Sequence, residues 1–229
     1  MIGVVVPAHN EEALVGPCVR SIMQAACHAG LHGEEVTVIV VLDDCTDKTG
    51  AIACASGAVT LESAARNVGR ARALGATAAI DRGVRWLAFT DCDSVVAPDW
   101  LAAQIDLGGK GADAVCGTVS VDDWAGYGEK MRLHFSATYF DVDGHSHVHG
   151  ANLGMTAAAY QQAGGFQPLE TSEDVELVES LKRTGAQIVW SAMPRVSTSA
   201  RLDFRAPSGF GATLERVEQE RLWVLPMAA

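Results

Sequence analysis

The chain has 229 residues, 48% of them apolar, and 17 Lys and Arg against 28 Asp and Glu give it a formal net charge of −11. That length and composition support one domain with a real core. The acidic balance argues against an open nucleic-acid-binding surface, which needs clustered basic residues, and leaves room for a small anionic ligand provided that a metal or local cations neutralise it.

The first stretch, "IGVVVP" from Ile2, is apolar with no basic residue before it, and no run of about 18 apolar residues occurs in the chain. A cytoplasmic protein with neither signal peptide nor membrane span is expected. "VTVIVVLDD" (36–44) is a second β-branched run, and such runs mark strands buried on both faces of a parallel sheet. Between them, "EEALVGPCVRSIMQAACHAG" (11–30) has helical apolar spacing, opens on two acids suited to a helix N-terminus and runs out at Gly30. A helix follows in "DKTGAIACAS" (47–56), a short strand in "AVTLE" (58–62), a long helix in "SAARNVGRARALGATAAIDRG" (63–83) and a strand in Trp86-Leu87-Ala88-Phe89. Beyond Pro98 the chain gives a helix in "PDWLAAQIDL", a strand in "ADAVCGTVSV", a helix in "YGEKMRLHFSATYF", the segment "SHVHGANLGM", a capped helix in "SEDVELVESLKRTG" and a strand in "AQIVWS". This alternation predicts a single α/β domain, doubly wound, with a mostly parallel central sheet, helices on both faces and a ligand crevice at the carboxyl ends of the strands. The domain is expected over residues 1–200, followed by a C-terminal tail at 201–229. The six cysteines form no C-x-x-C pair and read as reduced, mostly buried thiols rather than a zinc or disulfide framework.

Polar residues collect where the strands end: Pro7-Ala8-His9-Asn10-Glu11, Asp43-Asp44-Cys45-Thr46-Asp47 and Asp91-Cys92-Asp93. If the extended conformation persists through Cys92, Asp91 and Asp93 point the same way, and like charges that close repel unless something positive lies beside them. A hard divalent cation, Mg²⁺ or Mn²⁺, fits best, since both favour oxygen ligands and combine one or two carboxylates with substrate phosphates. Two acids capping the helix after Pro98 are the plainer alternative. Asn10, Glu11, Asp43 and Asp44 suit a base or ribose, with helix capping as the competing role of each. Arg66, Arg70 and Arg72 supply local positive charge; Arg66 and Arg70, at i,i+4 spacing, can meet phosphate or form a solvated stripe. In "GHSHVHG", His145, His147 and His149 share one face if extended; the preferred reading is that His149 lines the pocket and the other two lie on the surface. Gly150 to Gly154, with Asn152 among them, offers small residues and an amide for close approach of a ligand. Glu173 and Asp174, after Thr171-Ser172, are candidates for a general base, with capping as the alternative.

Taken in order, "VVVPAHNEE", "VVLDDCTDKTG", "AARNVGRARALG", "FTDCDSVVAPDWL", "HGANLGM", "AGGF" and "SEDVELVESLKRTG" resemble the family 2 glycosyltransferases of the GT-A fold, across nearly all of residues 1–200. The resemblance implies an inverting transfer from a nucleotide-diphosphate sugar to an acceptor hydroxyl, with residues 1–100 as the nucleotide-binding half and 101–200 as the acceptor half. It implies Mg²⁺ or Mn²⁺ at the D-x-D element, mainly through Asp93, with Asp91 near the ribose and the metal. Pro7, Ala8, Asn10 and Glu11 would hold the nucleoside, with Asp43 or Asp44 at the base. Asp174 matches the catalytic base, and "HGANLG" the segment between donor sugar and acceptor. The Q-x-x-R-W element of processive synthases is absent, so polymerisation through a membrane is not expected. A sugar-nucleotide-forming nucleotidyltransferase would want a Gly-rich basic loop where "PAHNEE" is acidic, and a non-catalytic nucleotide-sugar-binding module would not need Asp174. In the tail, Arg201, Arg205, Gly209 and Gly211 suggest a lid over the diphosphate, against a homodimer contact through Phe210, Leu222 and Trp223.

Overall fold

Along β1 (Ile2–Ala8), Ile2, Val4, Val6 and Ala8 are buried in one apolar cluster and Val5 in another. The same alternation holds in β2 (Val36–Asp43), where Val38, Val40 and Leu42 face one side and Ile39 and Val41 the other. Both strands are therefore covered on two faces, which is what continuous β-branched runs require. The computed structural model describes residues 1–124, 126–202 and 209–224. The remaining elements are α1 (Val15–Ala26), α2 (Thr49–Ala55), β3 (Val59–Ser63), α3 (Val68–Ile80), β4 (Trp86–Phe89), β5 (Val95–Val96), α4 (Trp100–Gly109), β6 (Ala114–Ser120), α5 (Glu129–Thr138), β7 (Leu153–Thr156), α6 (Ala157–Gln162), α7 (Glu173–Arg183), β8 (Ile188–Ser197) and α8 (Phe210–Glu220).

The strands form one sheet in the order β3-β2-β1-β4-β7-β6-β8-β5. β3, β2, β1 and β4 run parallel, as do β6 and β8, while β7 is antiparallel to β4 and β6, and β5 to β8. The mostly parallel α/β sheet is as expected. The two-residue β5 and the antiparallel setting of β7 were not legible, because pairing direction is a long-range property. Residues of α1 and α4 pack on one face of the sheet, and residues of α3, α6 and α7 on the other. The register sets Ala8 beside Leu42 and Asp43 beside Ser63, so β1, β2 and β3 end at one edge.

Four local expectations are corrected. Glu11 and Glu12 precede α1 rather than opening it, and α3 begins only at Val68 because Asn67 caps it, its side chain accepting the Arg70 N–H at 2.9 Å. Arg66 therefore lies outside the helix, and the i,i+4 pairing with Arg70 does not form. Residues 145–149 are not a strand. In α7, Leu177, Val178 and Leu181 are buried on the core face while Val175 is exposed.

Residues 209–224 do not trail away from the domain. Leu214 and Val217 of α8 join Met131 of α5 and Ala200 in a third apolar cluster, with Trp124, Tyr127, Phe210 and Trp223 against it. Phe210 meets Phe135 edge-on at 5.8 Å, and Trp223 lies under the Lys130 ammonium at 5.0 Å. Two of the three side chains considered for a dimer contact are thus engaged within the chain, while Leu222 is exposed. Arg205 lies outside the described residues. Among the described residues no helix is long and apolar enough to cross a membrane.

Candidate active site

A cleft of about 960 Å³ opens over the carboxyl ends of the strands. Pro7 and Ala8 from β1, Asp43 from β2, Asp91 and Asp93 after β4, and Asp174 from α7 all line it. Among the described residues, seven carboxylates, those of Glu11, Asp43, Asp91, Asp93, Glu170, Glu173 and Asp174, line it together with three guanidiniums, Arg66, Arg72 and Arg201.

Arg72 answers the repulsion between the acids. Its guanidinium, buried beneath the cleft, donates from Nη2 to Asp91 Oδ1 at 2.5 Å and from Nη1 to Glu173 Oε1. It occupies the space that a Cβ on Gly150 would need, so the small residue there accommodates an arginine of the chain itself rather than a ligand. Burial opposes the charge on Arg72, but Asp91, Glu173 and Asp174 outweigh it and raise its pKa. Burial pushes the Glu173 carboxyl above its usual range, with Arg72 pulling the other way. Direct contact with Arg72 nonetheless commits Glu173 to an ion pair.

Arg201 answers for the second acid. Its Nη1 and Nη2 form a two-pronged pair with Glu11 at 2.8 and 2.7 Å, and Nη2 lies 3.3 Å from Asp93 Oδ2. Burial raises Asp93 to about 6; Asp91 and Glu11 add to the rise, and Arg201 moderates it. Asp174 is held differently. Its Oδ2 accepts the Gly150 N–H at 2.8 Å and its Oδ1 the Val175 N–H at 2.8 Å. Ser172, immediately before α7, sits at φ 60° and makes no side-chain cap.

Of the two aspartates after β2, Asp43 faces the cleft and also holds the next loop. It accepts from Ser63 Oγ and from the backbone N–H groups of Ala65, Arg66 and Asn67 at 2.7 to 3.0 Å. Burial works against its charge, but these donors win and lower its pKa. Asp44, at φ 57°, instead pairs with the exposed Arg66, which also borders the cleft. Asn10 turns away at φ 52°, and its Oδ1 accepts from the Thr46 N–H at 2.8 Å. Asn152 is a correction. It is 1% exposed, accepts from Trp100 Nε1 and donates to the carbonyls of Thr118 and Pro194, so its amide is consumed in the core and offers nothing to a ligand.

The far end of the cleft is made of rings. Phe135, Tyr139 and His147 stack nearly parallel, with centroids 4.6 and 4.2 Å apart, and His145 continues the pile at 5.3 Å. His147 and His149 line the cleft, but His145 is buried against Trp190, so it is not a surface residue. Among the described residues no group of three His, Cys, Asp or Glu side chains is placed to hold a metal by itself.

A family model described as "Glycosyl transferase family 2" matches residues 3–162. The chain belongs to glycosyl transferase family 2. A search by sequence among curated proteins gives no match. Among solved structures, S. aureus TarS 1-349 in complex with UDP-GlcNAc is similar with a TM-score of 0.69 at 15% identity, over 94% of this chain and 64% of that one. The mannosyltransferase PcManGT from Pyrobaculum calidifontis, in complex with GDP-Man and Mn²⁺, gives 0.63 at 18%, over 95% and 60%. The glucosyl-3-phosphoglycerate synthase from Mycobacterium tuberculosis, in complex with phosphoglyceric acid, gives 0.54 at 20%, over 87% and 70%. These are likenesses of fold, and the chain spans less than two thirds of the TarS fragment.

Two members of this family 2 site escaped the sequence reading in their roles, Arg72 and Arg201. A signal for the first existed: Arg72 shares a helical stripe with Gly69, Gly75, Ala76 and Ala79, all buried, and a lone cation on a small-residue face needs a buried counter-charge. Arg201 pairs with Glu11 across 190 positions, and no local pattern announces that.

Proposed function

We propose that the chain transfers a sugar from a nucleotide-diphosphate donor to an acceptor hydroxyl with inversion, using Asp174 as the base and a divalent cation at Asp91 and Asp93. The carrying observation is that Asp174 and the D-x-D pair line one cleft. In a single displacement the acceptor oxygen attacks the anomeric carbon opposite the departing diphosphate, so one base suffices and no protein nucleophile is needed. The Asp174 carboxylate, steadied by the Gly150 N–H, takes the hydroxyl proton. Glu173 is unsuited to that task because Arg72 holds it.

The donor set fits Mg²⁺ or Mn²⁺. Asp91 and Asp93 are hard oxygen ligands, and seven carboxylates against three guanidiniums leave the cleft too negative to receive a diphosphate unaided. With few protein ligands converging, a cation held by Asp91 and Asp93 would draw its remaining oxygen ligands from the substrate phosphates. When bound, the metal stabilises the charge that develops on the leaving diphosphate. Pro7, Ala8, Glu11 and Asp43 border the nucleoside, and Arg66 the phosphates; Asn10 and Asp44 support that wall from behind. The TarS and PcManGT complexes contain UDP-GlcNAc and GDP-Man with Mn²⁺, which supports a nucleotide sugar as the donor class. Calorimetry with UDP-GlcNAc and GDP-mannose, with Mn²⁺ and then with EDTA, tests this reading. Binding that needs Mn²⁺ and is lost in Asp93→Asn supports it, and equal binding in EDTA overturns the metal.

A further inference from the structure

The Tyr139 hydroxyl sits between two partners. It accepts the Val119 N–H at 2.8 Å and lies 2.9 Å from His149 Nε2. Its ring cannot turn away, because it is clamped face to face between Phe135 and His147. With one lone pair taken by Val119, the hydroxyl proton has one acceptor within reach among the described residues, His149 Nε2. An imidazole that accepts at Nε2 carries its proton on Nδ1. His149 lines the cleft, and among the described residues its Nδ1 has no protein hydrogen-bond partner and no place among the buried atoms left without one, so it keeps access to the cleft. The next residue, Gly150, supplies the N–H that holds Asp174.

We propose that His149 is a substrate-binding residue: a neutral imidazole whose Nδ1–H, fixed in direction by Tyr139, donates a hydrogen bond to a sugar hydroxyl or ring oxygen beside Asp174. The reading rests on the function proposed above and adds to it the chemistry of this subsite. A neutral N–H suits the lone pair of an uncharged oxygen, whereas a phosphate or carboxylate calls for a cation. Burial holds His149 near a pKa of about 4, so it stays neutral at physiological pH. The surrounding wall agrees: His134, Phe135, Tyr139, His147, Phe210 and Leu214 line the cleft here, and the guanidinium of Arg72, which packs against Gly150, is engaged by Asp91 and Glu173. The bonded oxygen belongs to the donor sugar or to a neutral acceptor, and the two are separable.

The tautomer is read first, by long-range ¹H–¹⁵N NMR of the whole chain at pH 7, with His149→Gln to assign the signals. The expected pattern is a protonated Nδ1 and an accepting Nε2, shifted toward a tautomer mixture in Tyr139→Phe. An Nε2–H form or an imidazolium in the unaltered chain overturns the proposal, and this readout needs no transferase activity, so it survives a failure of the functional reading. Binding is read next. With Mn²⁺, release of nucleoside diphosphate from UDP-GlcNAc or GDP-mannose gives the donor KM, and saturation-transfer NMR with neutral methyl glycosides reports the acceptor side. His149→Gln should weaken one of the two roughly 10-fold, the worth of one hydrogen bond. His149→Asn, whose amide N–H reaches the Nδ1 position, should retain most of it. A raised donor KM assigns the bond to the donor sugar and a loss of glycoside binding to the acceptor. If Gln and Asn are equivalent, or neither readout moves, the imidazole makes no such bond.

Discussion

In the half of the cleft formed by strand ends, the working groups lie within a few residues of β1, β2 and β4, and charge holds them: Arg72 between Asp91 and Glu173, Arg201 between Glu11 and Asp93. The other half comes from α5, α8 and the 145–151 segment, and rings hold it: Phe135, Tyr139 and His147 in a stack with Phe210 across its end. The first half is suited to a charged ligand and the second to a neutral one. The difference teaches that the carboxylate proposed as the base, Asp174, sits where these two halves meet, positioned by a backbone N–H from the ring side while its neighbour Glu173 belongs to the charged side.

The sharpest way to break that division is at the junction. Asp174→Asn keeps the size and an acceptor for Gly150 but loses basicity, so turnover should fall roughly 100- to 10,000-fold with donor affinity and melting temperature little changed. Rates of nucleoside diphosphate release, with calorimetry of the donor, check it. Full activity in Asp174→Asn would mean that the acid only organises the segment before β7.

The junction also shows what the sequence could and could not disclose. Buried runs place β1, β2 and β4, and with them Pro7, Asp43, Asp91 and Asp93, because local periodicity encodes burial. The partners of those acids were hidden, since Arg72 and Arg201 reach them across the tertiary fold. Asn152 misled for a related reason: an amide among glycines suggests a ligand contact, yet Trp100 and two carbonyls claimed it. The ring stack was equally hidden, as its members come from two elements whose packing no spacing rule predicts.

If charge holds the strand-end half together, removing the central guanidinium should cost stability as well as function. Arg72→Met leaves the buried Glu173 without a counter-charge, as well as the partly exposed Asp91, and breaking a buried pair typically costs about 3–5 kcal/mol. At roughly 2–4 °C per kcal/mol for a chain of this size, the melting temperature should drop by about 6–20 °C. Adding Glu173→Gln should recover part of the loss, because the two changes remove one interaction. A drop under about 1 °C in thermal denaturation would show that solvent, not Arg72, satisfies these acids.

The ring half should respond to acid instead. His149 has a folded pKa of about 4, below the ordinary histidine value, with burial as the main cause and His147 and His145 adding to it. The unfolded chain therefore takes up the proton first as pH falls below about 6.5. Stability from this group is complete above that pH, declines between about 6.5 and 4, and levels off below. The full linkage is about 3 kcal/mol, less in practice because the ring is partly solvated. Denaturant titrations of wild type and His149→Gln across this window should diverge by up to that amount, and parallel profiles would contradict the neutral buried imidazole.

The smallest expected effect concerns the helix that closes the ring half. Phe210 is half-buried against the edge of Phe135 and packs with the Met131, Leu214 and Val217 cluster. Phe210→Ala removes about half the apolar burial of a full core phenylalanine, for a loss of about 1–2 kcal/mol. Melting should fall by a few degrees, and limited proteolysis should cut faster within 209–224. Solution mass should not change, because the side chain is occupied by its own α5. A dimer contact makes the opposite forecast: a mass that halves in the variant, with little change in proteolysis at matched monomer concentration. A lid makes a third, in which wild-type cleavage slows on adding nucleotide and Mn²⁺, and sedimentation run beside the digests separates all three.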